Sequence, residues 1–166
     1  QAVGRAIRKS KDKTKGIIVI PLYISESETL DEALLLSNFK KIWQIVTALK
    51  SQDDFLMECI DRLRIQKGRQ GSIKDNEEEL DKFIFDIPEK ISTKFSKSIK
   101  TLLVENSSED WFEYYGQLVN FFKQNGHSSP SQKESYLGRW CSFQRKRFKQ
   151  KNLETNRVKL LNLIDF

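Results

Sequence analysis

In the octamer QAVGRAIR at residues 1–8, two arginines three apart stand directly behind a glycine. A guanidinium presents a planar fork of donors matched to phosphate or carboxylate oxygens, so Arg5 and Arg8 are equipped for an anionic ligand. A second concentration of such groups lies between residues 133 and 159, where nine Lys or Arg stand against two acids, a net of +7. Other chemistry is thinly supplied. His127 is the single histidine and has no serine or cysteine partner at triad spacing. Cys59 and Cys141 are far apart with no neighbouring ligand ladder, which suggests neither a disulfide framework nor a zinc site and fits a reducing cytoplasm. Both fall on apolar helix stripes and read as small core residues.

On a helical wheel, Leu137, Trp140, Cys141, Gln144 and Phe148 share one face, while Arg139, Lys146, Arg147 and Lys149 turn mostly away from it. A solvated helix back is the plain explanation of those charges. Against it, they are of one sign and lack the acidic partners that an exposed helix uses for i to i+4 pairing. Phe143 lies between Arg139 and Arg147, with Tyr136 upstream on the same line. An aromatic interleaved with arginines suits base stacking beside phosphate contacts, and equally suits packing on a neighbouring element. The candidate nucleic-acid-binding set is Arg139, Phe143, Arg145, Lys146, Arg147 and Lys149.

These groups need elements to position them. The chain has 166 residues, enough for one ordinary domain or two very small ones, and its hydrophobic share of 38% is compatible with a folded core. Lys and Arg exceed Asp and Glu by 29 to 23, and a pI near 9.3 favours an acidic partner such as nucleic acid or an anionic membrane surface. The longest apolar run, GIIVIPLYI, is too short to span a bilayer and wrongly placed for a signal peptide. Its β-branched core, residues 17–24 after the basic loop RKSKDKTK, reads as a strand buried on both faces whose sheet partners are missing.

From about Thr29 to Val104 the pattern is helical. Leu30, Leu34, Phe39, Ile42, Val46 and Leu49 recur at three- and four-residue spacing, and Asp53 or Asp54 can cap a helix carrying Phe55, Leu56, Cys59, Ile60 and Leu63. KGRQGSIKDN reads as a loop on its glycines and polar residues. A short acidic helix around Leu80, Phe83 and Ile84 ends near Pro88, which opens a helix with Ile91, Phe95, Ile99 and Leu102. Residues 75–90 hold seven acids against two lysines, a stretch ill suited to face DNA or RNA. Further on, Ser107 with Asp110 reads as a capping box for a helix with Trp111, Tyr115, Leu118 and Phe122 on its stripe, stopped by Gly126. Ser135 can cap the helix over YLGRWCSFQRKRFKQ, and a last helix carries Val158, Leu161 and Ile164 or Leu160 and Leu163. Trp111 and Trp140 read as core.

Trp111, Leu118, NGH at 125–127, Pro130, LGRW at 137–140, QR at 144–145, Leu153 and R…L…IDF over 157–166 together resemble the bacterial helicase-associated domain, a repeat that follows the motor of certain superfamily-two, DEAD/DEAH-type helicases. QAVGRAIR is similar to motif VI of those motors, Q-x-x-G-R-x-x-R, and WQIVTALKSQDDFLMECIDRLR resembles the helical connector between motor and repeat. Two positions depart from the pattern: Glu154 stands where a small capping hydroxyl is usual, and Phe143 where a polar residue is.

The resemblance implies a mainly α chain with three parts. Residues 1–25 would be the tail of the second, RecA-like motor lobe with one leftover β-strand, 26–106 a helical connector, and 107–166 a three-helix helicase-associated bundle. It further implies that in the intact parent Arg5 and Arg8 act as arginine fingers on the terminal phosphate of ATP, with Gln1 and Gly4 beside them. ATP and magnesium would be cofactors of that parent only, because this chain has no GxxxxGK[ST] phosphate loop and no D-E-A-D or D-E-x-H box. The chain alone is expected to be no enzyme; Arg5 and Arg8 in it read as a solvated basic segment. Its expected partners are DNA or RNA and the motor in cis, in the cytoplasm and away from membranes. The expected function is that of an accessory nucleic-acid-binding module of an ATP-dependent helicase, or alternatively of a structural or protein-docking module. Phosphate-loop motifs upstream and a further repeat downstream are expected in the parent.

Overall fold

A computed structural model describes residues 37–73 and 93–166 of the chain. Among them the regular structure is entirely α-helical: α1 (Ser37–Lys50), α2 (Asp54–Gln70), α3 (Thr93–Ser107), α4 (Asp110–Asn125), α5 (Tyr136–Lys149) and α6 (Thr155–Asn162). The mainly helical expectation therefore holds for these residues. The octamer with Gln1, Gly4, Arg5 and Arg8, the strand over 17–24 and the acidic helix around Leu80 lie outside the described residues. None of the helices described is long and apolar enough to cross a membrane.

The chain divides into two compact units, and the division falls within α2 between Glu58 and Cys59. In the first unit α1 and α3 pack together. Ile42 and Val46, one turn apart on α1, are buried, as are Ile99, Leu103 and Val104 on α3. The Lys50 ammonium donates to the carbonyl of Ser107 at 3.2 Å, satisfying one of the acceptors that a helix end leaves without an intrahelical donor. Asp53 caps α2 as its position predicts, its Oδ1 accepting from the Leu56 amide at 3.0 Å, an arrangement worth about 1 kcal/mol.

The second unit joins residues 59–73 to residues 108–166. The segment read as a loop from Lys67 onward is helical as far as Gln70, and glycine is the reason. A Cβ on Gly68 would stand 2.0 Å from the Glu113 carbonyl oxygen, and one on Gly116 would stand 2.1 Å from that of Ile65. Two helices cross there with their backbones in contact, so Gly68 serves packing rather than a turn. The turn comes at Gly71, where φ is +74°. Beside the crossing, buried Arg64 pairs with Asp110 at 2.5 Å and Glu113 at 2.8 Å, and Lys67 pairs with Glu113 at 3.0 Å.

Helices α4, α5 and α6 enclose a core of Trp111, Tyr115, Leu118, Cys141, Leu161 and Ile164. Trp111 stacks on Tyr115 with centroids 5.5 Å apart, and Trp140 leans on Trp111 and Tyr114 at 5.7 Å. Full burial of side chains of this kind contributes roughly 1.5–3 kcal/mol each. The tryptophans are thus core as expected, Trp140 only partly buried. The expected capping box at Ser107 does not form: Ser107 is the last residue of α3, and Glu109 is the N-cap of α4. The Glu109 side chain makes no cap bond because it accepts instead from Arg157 at 2.7 Å. Gly126 ends α4 in the left-handed conformation, φ +73°, as expected.

Candidate nucleic-acid interface

Helix α5 carries every described residue of the basic candidate set, and its start is fixed locally. Ser135 is extended, φ −134°, and its Oγ accepts from the Gly138 amide at 2.9 Å, which is the predicted cap. At the other end the last turn holds Lys146, Arg147 and Lys149, cations well placed against the negative end of the helix dipole. The Arg147 guanidinium also donates to the Asn152 carbonyl through Nε at 3.3 Å and Nη2 at 3.1 Å.

One face of α5 is committed to the core. A Cβ on Gly138 would meet the Ser131 carbonyl oxygen at 2.2 Å, so the chain before the helix lies directly on it. Cys141 is wholly enclosed, and burial pushes its thiol up to about 11, with only partial opposition from nearby Arg145. Such a thiol stays protonated at neutral pH and is unreactive. Gln144 is buried too, its Oε1 accepting from the Trp111 indole at 3.1 Å.

Arg145 flanks this face. Its Nη2 donates to the Ser128 carbonyl at 2.9 Å and to Ser129 Oγ at 3.1 Å, and its guanidinium lies 4.3 Å over the Phe166 ring. Ser128 in turn donates from Oγ to the Asp165 carbonyl at 2.7 Å. The loop NGHSS, α5 and the terminal IDF are thereby clamped together, which engages Arg145 inside the domain. On the wheel it sits beside Gly138 and Cys141, and that placement was the available signal. Arg157 plays a similar part on α6: nearly buried, it reaches Glu109, lies 5.1 Å over Trp111, and holds Glu154 at 3.2 Å from its Nε. Glu154 caps α6 without a side-chain cap bond.

The opposite face is open. Tyr136 is 71% exposed and Phe143 55%. Arg139 lies 4.6 Å over the first ring and Arg147 5.9 Å over the second. Lys146 and Lys149 are exposed, and none of Arg139, Lys146, Arg147 and Lys149 has a carboxylate within ion-pair distance among the described residues. Tyr136 is the residue that the candidate set omits; its place seven before Phe143 was the signal. A face of this composition can neutralise phosphates with its cations and stack bases on its rings.

Two further features bear on function. Phe148, expected on the core face, is 57% exposed, because it lies at the end of α5. With Leu153, Val158, Leu161 and Phe166 it lines a cleft of about 140 Å³. His127 is exposed, accepts from the Ser129 amide through Nδ1 at 3.2 Å and meets Phe121 edge-on at 5.3 Å. It is a capping and packing residue, and no cluster of metal-ligating side chains is found among the described residues.

Residues 108–166 match the family model of the helicase associated domain. This stretch is a helicase-associated region. No curated protein and no solved structure matches the chain.

Proposed function

We propose that the chain is the C-terminal region of an ATP-dependent nucleic-acid helicase in which residues 108–166 act as an accessory nucleic-acid-binding module through α5. One observation carries this reading. Arg157 is paired with Glu109, and Arg145 is held by Ser128 and Ser129 inside the domain, whereas Arg139, Lys146, Arg147 and Lys149 stand on one helix face without a carboxylate partner among the described residues, Arg147 reaching the Asn152 carbonyl alone. A one-signed patch left uncompensated serves a polyanion. The similarity of QAVGRAIR to motif VI supports a superfamily-two parent that uses ATP and magnesium, in which Arg5 and Arg8 would reach the terminal phosphate of ATP, with Gln1 and Gly4 beside them. By itself the chain would hydrolyse no ATP. The partners on this reading are DNA or RNA and the motor in cis, within the cytoplasm.

The test is a titration of labelled single- and double-stranded oligonucleotides at several salt concentrations. Replacing Arg139, Lys146, Arg147 and Lys149 together by Gln should flatten the log–log salt dependence by about three units, because each phosphate that a cation neutralises adds roughly 0.7–0.9 to the slope. Absence of binding at low salt, or binding indifferent to the four changes, contradicts the proposal.

The alternative is a protein-docking module, favoured by the cleft beside Phe148 and by Leu163, which is 75% exposed. In that case the substitution Phe148→Ser would abolish association with the motor while the four charge changes left it intact.

A further inference from the structure

Tyr136 and Phe143 are seven residues apart, two helical turns or about 10.5 Å along the axis of α5. Each carries its own guanidinium on one side, Arg139 at 4.6 Å and Arg147 at 5.9 Å, and each remains more than half exposed. The face therefore holds the same arrangement twice, an open ring with a cation against it. Neither ring fills a gap in the core; the buried tryptophan stacking lies on other turns of the bundle. Exposing two large rings to water is unfavourable, and their guanidiniums cover them only in part.

We infer that the two ring–guanidinium pairs form a stacking platform for an unpaired strand, so that the partner of α5 is single-stranded nucleic acid rather than duplex; this rests on the reading of α5 as a nucleic-acid interface. Within a duplex both faces of every internal base are occupied by neighbouring bases, and a protein ring finds no face to stack on. An unpaired strand offers a free face at every base, and the span between the rings is that of about three stacked bases, which two rings can engage at once. The guanidiniums beside the rings and Lys146, between Phe143 and Arg147 in the second pair, meet the phosphates of the same strand. Because every base has a π-face, recognition is tolerant of sequence.

The experiment uses the full chain with three labelled probes of equal length: oligo-dT, an abasic strand of the same backbone, and a duplex. The variant Tyr136→Leu/Phe143→Leu keeps the charge, and at two exposed positions it should leave the circular dichroism melt unchanged. It should lose roughly tenfold or more per ring on oligo-dT, with the salt slope unaltered, and little on the duplex. Wild type should bind the abasic strand as weakly as the variant binds oligo-dT. Equal affinity of the wild type for the abasic strand and oligo-dT, or equal losses by the variant on single strand and duplex, overturns the stacking platform while leaving a charge-driven interface standing. Failure of the wild type to bind any of the three probes overturns the interface itself.

Discussion

The two faces of α5 differ less in composition than in what their polar groups have to bind. Both carry arginine and aromatic residues. Inward, Gln144 is saturated by Trp111, and on the flank Arg145 is saturated by the loop at Ser128 and by Phe166. Outward, Arg139 lies over the Tyr136 ring, and Arg147 lies over the Phe143 ring and donates to the Asn152 carbonyl. On the proposed reading, residue type does not separate scaffold from interface here; the supply of partners inside the domain does. Much of the family pattern proves to be scaffold: Trp111, Gly138, Gln144, Arg145, Arg157 and the terminal IDF hold one another in place.

The comparison breaks most violently at glycine. Gly138→Ala would drive a Cβ into the Ser131 carbonyl, a backbone atom that cannot rotate away, and Gly116→Ala would do the same at Ile65. Each should lower unfolding free energy in urea by about 3 kcal/mol, at the upper end for overpacking. A change below about 0.5 kcal/mol would mean that the chain before α5, or the crossing at Gly68, yields freely.

The next contrast is between adjacent residues. Gln144→Leu leaves the buried Trp111 indole without an acceptor and should cost about 1–3 kcal/mol, whereas Phe143→Ala, one position away, should stay within about 0.5 kcal/mol. Equal costs would remove the distinction between the faces. Smaller again is the effect of separating the arginines. Arg145→Gln should destabilise by about 1 kcal/mol and leave oligonucleotide affinity alone. Arg147→Gln should do the reverse, lowering the salt slope by about one unit with a minor change in the melt. A reduced slope with Arg145→Gln would assign that residue to the interface after all.

The pattern of the sequence revealed the bundle because local chemistry and tertiary packing agree there. Ser135 and Asp53 cap helices, Gly126 turns left-handed, and Trp111, Tyr115 and Leu118 face inward as their spacing requires. It misled where packing across the chain overrode a local preference. Gly68 looked like a loop residue but is the only side chain small enough for the crossing with α4. Ser107 and Asp110 had capping spacing, yet Asp110 is drawn to Arg64 and the cap passes to Glu109. Phe148 kept the apolar period past the point where α5 still has a partner to cover it. At the candidate interface the cations were legible as a one-signed run, and the wheel put Arg145 beside Gly138 and Cys141, but the carbonyl of Ser128 that holds it is displayed by no periodicity.

The most direct measurement of the central claim is a nitrogen–proton correlation spectrum of the full chain titrated with oligo-dT. The amides of Tyr136, Arg139, Phe143, Lys146 and Arg147, and their nearest neighbours on α5, should shift together and saturate at one affinity. Shifts confined to Phe148, Leu153, Leu163 and Phe166 around the cleft, or to α1 and α3, would contradict it.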